Sequence, residues 1–454
     1  MVVQNNKGGT ICTTYYGGTI KYSGTDNETK MNKDKHIPTG YKPSPLGPIP
    51  EDWEVKRLGE ICKKIGSGVT PRGGQNVYLS QGHPFMRSQN VANGYLLLDD
   101  IVFIDEITHL KQKSTEIELD DVLLNITGAS IGRCAVATQE IVGGNVNQHV
   151  CIIRLKDKTL AYYICTFLLS YFGQKQIDSY QAGGNREGLN YDQIASFKIC
   201  IPTQSEILQI KYLLSLWDTA IAKQTALIEK LTLRKRGLMQ QLLTGKKRLK
   251  GFCGEWKEVR LGDVASINRG GSPRPIEDYI TDGEGYNWIK IGDVGVDAKY
   301  ITSTEEKIIK EGLSKTRFVK SGDFILSNSM SFGRPYILKI DGCIHDGWLV
   351  IQKYSQTFNI DFLYYILGYD TTLAQYKSMA AGSGVLNLNK EIVKEVQLRI
   401  PSIDEQIVIA SILVNADKEI ELQKQKLAAM QEQKRGLMQV LLTGKEKNKN
   451  NINK

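Results

Sequence analysis

Five histidines, scattered at 36, 83, 109, 149 and 345, and eight cysteines without a Cys-x-x-Cys pair leave this sequence with no zinc-ligand pattern. The cysteines, at 12, 62, 134, 151, 165, 200, 253 and 343, show no disulfide-framework spacing either, which fits a reducing compartment. No apolar run reaches membrane-spanning length, and the N-terminus lacks the apolar core of a signal peptide, so a cytoplasmic protein is expected. Catalytic patterns are missing as well. There is no Asn/Asp-Pro-Pro-aromatic tetrapeptide of an amino-methyltransferase, and no glycine fingerprint for a dinucleotide or S-adenosylmethionine. Thr244-Gly245-Lys246-Lys247 lacks the upstream glycine and the following Ser/Thr of a phosphate loop, and it ends a helical pattern instead of opening one. It reads as a helix C-cap. Glu54-Val55-Lys56 could be half of a nuclease Glu-x-Lys, but its twin Glu258-Val259-Arg260 is shifted by one position and neither follows a suitable aspartate strand. A surface charge pair is the expectation there.

What the chain does have is ordinary globular composition over 454 residues, 41% hydrophobic and 24% charged, enough for two to four domains. Its net charge of +9 favours a polyanionic partner. It also contains a long duplication. Lys235-Arg236-Gly237-Leu238-Met239-Gln240-Gln241-Leu242-Leu243-Thr244-Gly245-Lys246 recurs as Lys434-Arg435-Gly436-Leu437-Met438-Gln439-Val440-Leu441-Leu442-Thr443-Gly444-Lys445.

These stretches end two long helical patterns. Each opens on Ile-Pro and a capping box, Thr203-x-x-Glu206 and Ser402-x-x-Glu405. Each stops at Thr-Gly, with Gly245 or Gly444 free to adopt the left-handed cap. Apolar residues alternate at spacings of 3 and 4, giving one seam through Ile207, Ile210, Leu214, Trp217, Ile221, Ile228, Leu231, Leu238 and Leu242. The other runs through Ile409, Leu413, Ala416, Ile420, Leu427, Met430, Leu437 and Leu441. Both are broken at the same places, by Gln224 and Gln423 near the midpoints and by Lys235 and Lys434. Such seams predict an antiparallel coiled coil in which Gln224 meets Gln423 and sets the register. Two ordinary core helices of separate domains are the alternative.

Taken in order, residues 1–50 read as an extension and a Pro/Gly-rich linker held extended. A domain over 51–202 follows, then the first helix over 203–245, a linker over 246–253, a second domain over 254–401, the second helix over 402–445 and a polar tail over 446–454. The domains share entry segments, Trp53 to Gly59 and Trp256 to Gly262, and strand-turn elements that end at Arg133 and Arg334. His149 and His345 fall at roughly equivalent places, as polar turn residues or base-edge contacts. The fold class is α+β, two mixed domains separated by a pair of long antiparallel helices with a pseudo-two-fold repeat.

Loops rich in Gly, Ser, Asn and Arg suit DNA, because backbone can approach phosphate and bidentate donors can reach base edges. The candidates are Ser67, Thr70, Arg72, Arg87, Arg133, Asn185 and Arg186 in the first domain. In the second they are Arg269, Ser272, Arg274, Lys290, Arg334 and Ser383. Simple turns are the alternative for each loop. Two such domains held on a rigid rod would read two half-sites with unread DNA between them.

The entry segments (Pro50-Glu51-Asp52-Trp53 with Arg57-Leu58-Gly59, and Glu255-Trp256 with Arg260-Leu261-Gly262), Ile201-Pro202 with Glu206, Ile400-Pro401 with Glu405-Gln406, and the two repeated helix ends together resemble the specificity subunits of type I restriction-modification systems. The resemblance covers about 40 to 445. It implies a chain without an active site or bound cofactor, whose domains read a bipartite DNA site and whose helices dock two modification subunits. S-adenosylmethionine, ATP and Mg would then sit on the modification and restriction subunits. Ser205-Glu206-Ile207, where the second copy has Asp404-Glu405-Gln406, implies different docking contacts in the two halves. The competing readings are a self-contained DNA methyltransferase or nuclease, which the missing motifs disfavour, and a coiled-coil adaptor without restriction-modification partners.

Overall fold

The computed structural model describes residues 37–181, 188–295, 298–328, 332–380 and 388–444. The fold is α+β, in two halves that repeat the same succession of sheet, short helices and one long helix. The chain divides into two compact units, the first made of the described residues up to Ala222 plus those from Ala428, the second of Lys223–Leu427. Each unit therefore holds one mixed domain and parts of both long helices.

In the first unit a four-stranded antiparallel sheet has the order Cys62–Ser67, Val150–Leu155, Val122–Asn125, Cys134–Val136. Its two central strands, Val150–Leu155 and Val122–Asn125, are almost wholly buried and mostly apolar because both faces are covered, while the edge strand Cys62–Ser67 carries Lys63 and Lys64. Leu124, Cys151 and Ile153 point into the larger core, while Leu123, Val150 and Ile152 point into a smaller one. The helix α1 (Ala161–Leu169) lies in the larger core, contributing Tyr163, Ile164, Phe167 and Leu168. The strand Glu54–Arg57 pairs with Lys198–Ile201, which ties the start of the domain to its end just before α2 (Gln204–Leu242).

The second unit repeats this plan. Ser266–Arg269, Trp348–Gln352, Phe324–Ser327 and Pro335–Leu338 take the same sheet order, and Tyr300–Ile301 adds a fifth, parallel strand. Its covering helix is α3 (Ile360–Leu367), and Lys257–Arg260 pairs with Gln397–Ile400 just before α4 (Ile403–Leu441).

Within each unit the long helices run antiparallel. In the first, Ile207, Ile210 and Leu214 of α2 share a core with Leu437, Met438, Leu441 and Leu442 at the end of α4, and Asp218 pairs with Lys434. In the second, Leu238 and Leu242 share a core with Ile409 and Leu413, Lys235 pairs with Asp417, and Gln224 bonds Gln423. Every seam position is buried or half-buried.

The two capping boxes are each half made. Glu206 reaches back to the Thr203 amide at 3.0 Å, while the Thr203 hydroxyl donates to the same carboxylate. At the second helix the Ser402 hydroxyl accepts the Glu405 amide at 3.4 Å, but the Glu405 side chain is held by Arg248 instead. Gly245 and Gly444 end the helices at φ +68° and +67°.

The Pro/Gly run at 40–50 is not an extended linker. Tyr41–Lys42 pairs with Ile49–Pro50 across a turn in which the Gly47 amide donates to the Ser44 carbonyl. Ile49 enters the larger core, and the Tyr41 hydroxyl donates to the Gly444 carbonyl at the end of α4. Gly47, at φ +100°, lets the chain turn where prolines alone would have kept it straight.

Candidate nucleic-acid interface

The sheet brings together loops from distant parts of each domain. In the first unit Ser67 ends the strand Cys62–Ser67 and Gln148 precedes Val150–Leu155, so the loops beyond them become neighbours. The Thr70 amide donates to Gln148 Oε1 at 2.9 Å, and the Ser67 amide donates to the Tyr191 hydroxyl at 3.0 Å. Thr127 bonds His149 Nδ1 at 2.5 Å and forms a bridge with Gly188. Gln148, Val69, Arg72 and Tyr191 are exposed, so this loop cluster presents an amide, an aliphatic, a guanidinium and a phenol to solvent.

The second unit places a charged cluster at the equivalent loops. Arg269 Nε donates to the Asp346 carbonyl at 2.9 Å, and Arg317 Nε donates to the Arg269 carbonyl at 2.9 Å. Ser272 Oγ donates to Asp346 Oδ1 at 2.9 Å, His345 Nε2 lies 3.0 Å from the same oxygen, and Arg274 approaches Oδ2 at 3.9 Å. Partial burial works against the Asp346 charge. The Ser272 hydroxyl, the neighbouring His345 ring and the positive charges of Arg269 and Arg274 outweigh it and hold the carboxyl below its ordinary range. Around Asp346 the cluster thus offers Arg269, Arg274, His345 and Asn328, whose Nδ2 donates to the Asp346 carbonyl at 2.8 Å, with Arg317 joined to it through the Arg269 carbonyl.

The sequence-derived candidates separate accordingly. Ser67, Thr70 and Arg72 belong to the first loop cluster, and Arg269, Ser272 and Arg274 to the second. Arg87 and Lys290 occupy equivalent positions, each with its amide bonded to a side chain three residues on, and each is tied to its own domain. Arg87 bonds the Asp100 carbonyl and lies over Tyr78, while Lys290 pairs with Glu306 at 2.6 Å. Arg133 and Arg334 both follow the turn after the third sheet strand. Asn185, Arg186 and Ser383 lie outside the described residues.

Sequence reading missed Gln148, Tyr191, Asn328, Arg317 and Asp346. They reach the loops only through the folding of non-adjacent elements, Tyr191 from the first turn of the helix Tyr191–Ala195. It also misaligned the histidines. The Ile126 amide donates to the His149 carbonyl where the Asn328 amide donates to the Gly347 carbonyl, so His149 corresponds to Gly347. His345 instead matches Asn147, and each side chain accepts the amide two residues on, at 2.9 and 3.0 Å. Two of the loop glycines also have an internal reason. A Cβ on Gly68 would lie 1.7 Å from the Val146 carbonyl oxygen, and one on Gly270 would lie 2.2 Å from that of His345. Close approach of the neighbouring loop, not of a phosphate, requires glycine there. The Glu54 and Lys56 side chains form an exposed ion pair at 2.8 Å.

Comparison with known proteins meets this repeated geometry. Over 426 residues the chain is 25% identical to the putative type I restriction enzyme MjaX specificity subunit of Methanocaldococcus jannaschii, covering 89% of this chain and 96% of that protein. It is 23% identical over 424 residues to the MjaVIII specificity subunit of the same organism, covering 88% and 95%. A solved structure reported under complex assembly and conformational transition of the type I R-M system shares the fold, with a TM-score of 0.60 at 17% identity over 87% of this chain and 99% of that one. The family model described as the type I restriction modification DNA specificity domain matches residues 50–233 and again 254–432. The chain belongs to that family and carries its domain twice.

Proposed function

We propose that this chain is the DNA-reading subunit of a type I restriction-modification complex, with the domains at 51–202 and 254–401 each reading one half of a bipartite target. The observation that carries this reading is the pair of loop clusters built at equivalent sheet ends with unlike side chains. One offers Ser67, Thr70, Arg72 and Gln148; the other offers Arg269, Ser272 and Arg274 around Asp346, with Arg317 on the Arg269 carbonyl. A common scaffold with different donors suits two different half-sites, because arginine favours guanine and glutamine favours adenine in the major groove. Arg87, Arg133, Lys290 and Arg334, together with Asn185, Arg186 and Ser383, remain candidates for the DNA contact.

In this reading the chain performs no catalysis. Modification subunits using S-adenosylmethionine dock on the helical arms, restriction subunits using ATP and Mg join for cleavage, and the assembly works in the cytoplasm. The Gln224–Gln423 bond fixes the helix register on which the half-site spacing depends. Exchange of residues 51–202 for the corresponding domain of a relative tests the division directly. One half of the methylated target should change and the other should stay. A change in both halves would show that the reading domains are not independent.

A further inference from the structure

Both helix seams are interrupted by a lysine at the same position of the repeat, and neither lysine escapes to solvent. The Lys235 and Lys434 side chains are only 24% and 22% exposed. In the second unit Lys235 Nζ lies 2.5 Å from Asp417 Oδ1 on the opposing helix, and Asp417 Oδ2 accepts the Tyr365 hydroxyl at 2.6 Å. Tyr365 belongs to α3 of the mixed domain, is 2% exposed, and has Lys235 Nζ 5.6 Å from its ring centroid. In the first unit Lys434 pairs with Asp218 Oδ1, and Asp218 Oδ2 accepts the hydroxyl of Tyr162, on α1, at 2.7 Å. Each triad draws one residue from each long helix and one from the mixed domain. The aspartate divides its oxygens in the same way in both copies, and the copies share no residue.

Stability does not account for the arrangement. The lysine and aspartate of each pair are 24% and 37% exposed in one triad and 22% and 48% in the other, and ion pairs open to solvent in this way contribute little net stability. What the triad adds is direction, since the carboxylate can satisfy both donors only when the domain's helix meets the helix pair at one angle. Burial, then the neighbouring aspartate, pushes both tyrosine hydroxyls well above their ordinary range, so both remain donors.

We propose that Tyr162–Asp218–Lys434 and Tyr365–Asp417–Lys235 are positioning residues that hold each recognition domain at one angle on the helices, and so set where its loops fall along the DNA. The proposal rests on the two-domain reading given above. The test uses the complex with its methyltransferase subunit and a DNA library in which the two half-sites are separated by the native spacer or by one base pair more or less. Wild type should methylate the native spacer selectively. Lys235→Met and Lys434→Met should lose little melting temperature, because the aspartates left behind are 37% and 48% exposed and still accept the tyrosine hydroxyls, yet they should methylate off-length spacers about tenfold better relative to the native one, with half-site bases unchanged. Tyr365→Phe and Tyr162→Phe should do the same, and Lys235→Arg should restore selectivity. Wild-type spacer selectivity in variants that melt normally would overturn the positioning role. A wild-type complex with no two-part preference would instead overturn the reading beneath it.

Discussion

Gln224 Nε2 donates to Gln423 Oε1 at 2.8 Å and to the Gln423 carbonyl at 3.1 Å, joining two residues 199 apart that occupy the same position of the repeat. Gln224 is only 6% exposed, so its amide depends on this partner. Removing one side of a buried polar pair costs more than removing both. Gln423→Ala should destabilise the protein by about 1–3 kcal/mol, while Gln224→Leu with Gln423→Leu should be neutral or stabilising. Urea denaturation separates the cases. A double variant weaker than the single one would show that the pair contributes net stability.

Asp121, fully buried, accepts from Arg154 Nε at 2.9 Å and from its Nη2 at 2.8 Å. Asp121→Ala would leave a half-buried guanidinium with Glu118 as its remaining ion-pair partner. The expected loss is about 2–3 kcal/mol, read from the same denaturation curves. Near-native stability would mean that Glu118 compensates.

His83 stacks on His109 with ring centroids 3.8 Å apart and bonds Glu106 at 2.6 Å and the Gly143 carbonyl at 3.0 Å. The Glu106 hydrogen bond outweighs burial and raises the imidazole above its ordinary range, with the Gly143 carbonyl and Glu116 adding to the effect. A raised folded-state value stabilises the protein below the unfolded value, and that contribution disappears as pH rises through the folded one. Between about pH 5 and 8, wild type should therefore lose more stability than Glu106→Gln. Parallel pH profiles would remove the histidine from the account.

Each loop cluster should govern its own half-site. Gln148→Ala should relax base choice in the first half only, at about 1–3 kcal/mol of discrimination, and leave the salt dependence of binding unchanged. Arg269→Ala or Arg274→Ala should act on the second half, and should shallow the salt dependence by about one unit of slope where the arginine meets phosphate. Selection from randomised duplexes at two salt concentrations reads both effects. Loss spread evenly over both halves would place these residues outside the reading surface.

The helices were legible because their signal is local and repeated. Caps, the 3–4 spacing and the shared interruptions lie within single stretches, and Lys235 and Lys434 were visible as anomalies before Asp417 and Asp218 explained them. The sheets were legible in outline only, since strands covered on both faces lose the alternation that marks a half-exposed strand. The loop clusters were legible in composition but not in membership. Gln148 meets Thr70, and Asp346 meets Arg269, only because non-adjacent strands pair. The fold of 40–50 was missed for a related reason. Its partner, the Gly444 carbonyl, lies 403 residues away.

The most direct measurement is methylome sequencing of a host that expresses this chain with a candidate modification subunit. The account predicts a bipartite motif with a fixed unread spacer and adenine methylated on both strands. A single contiguous motif, or methylation produced by this chain alone, would contradict it.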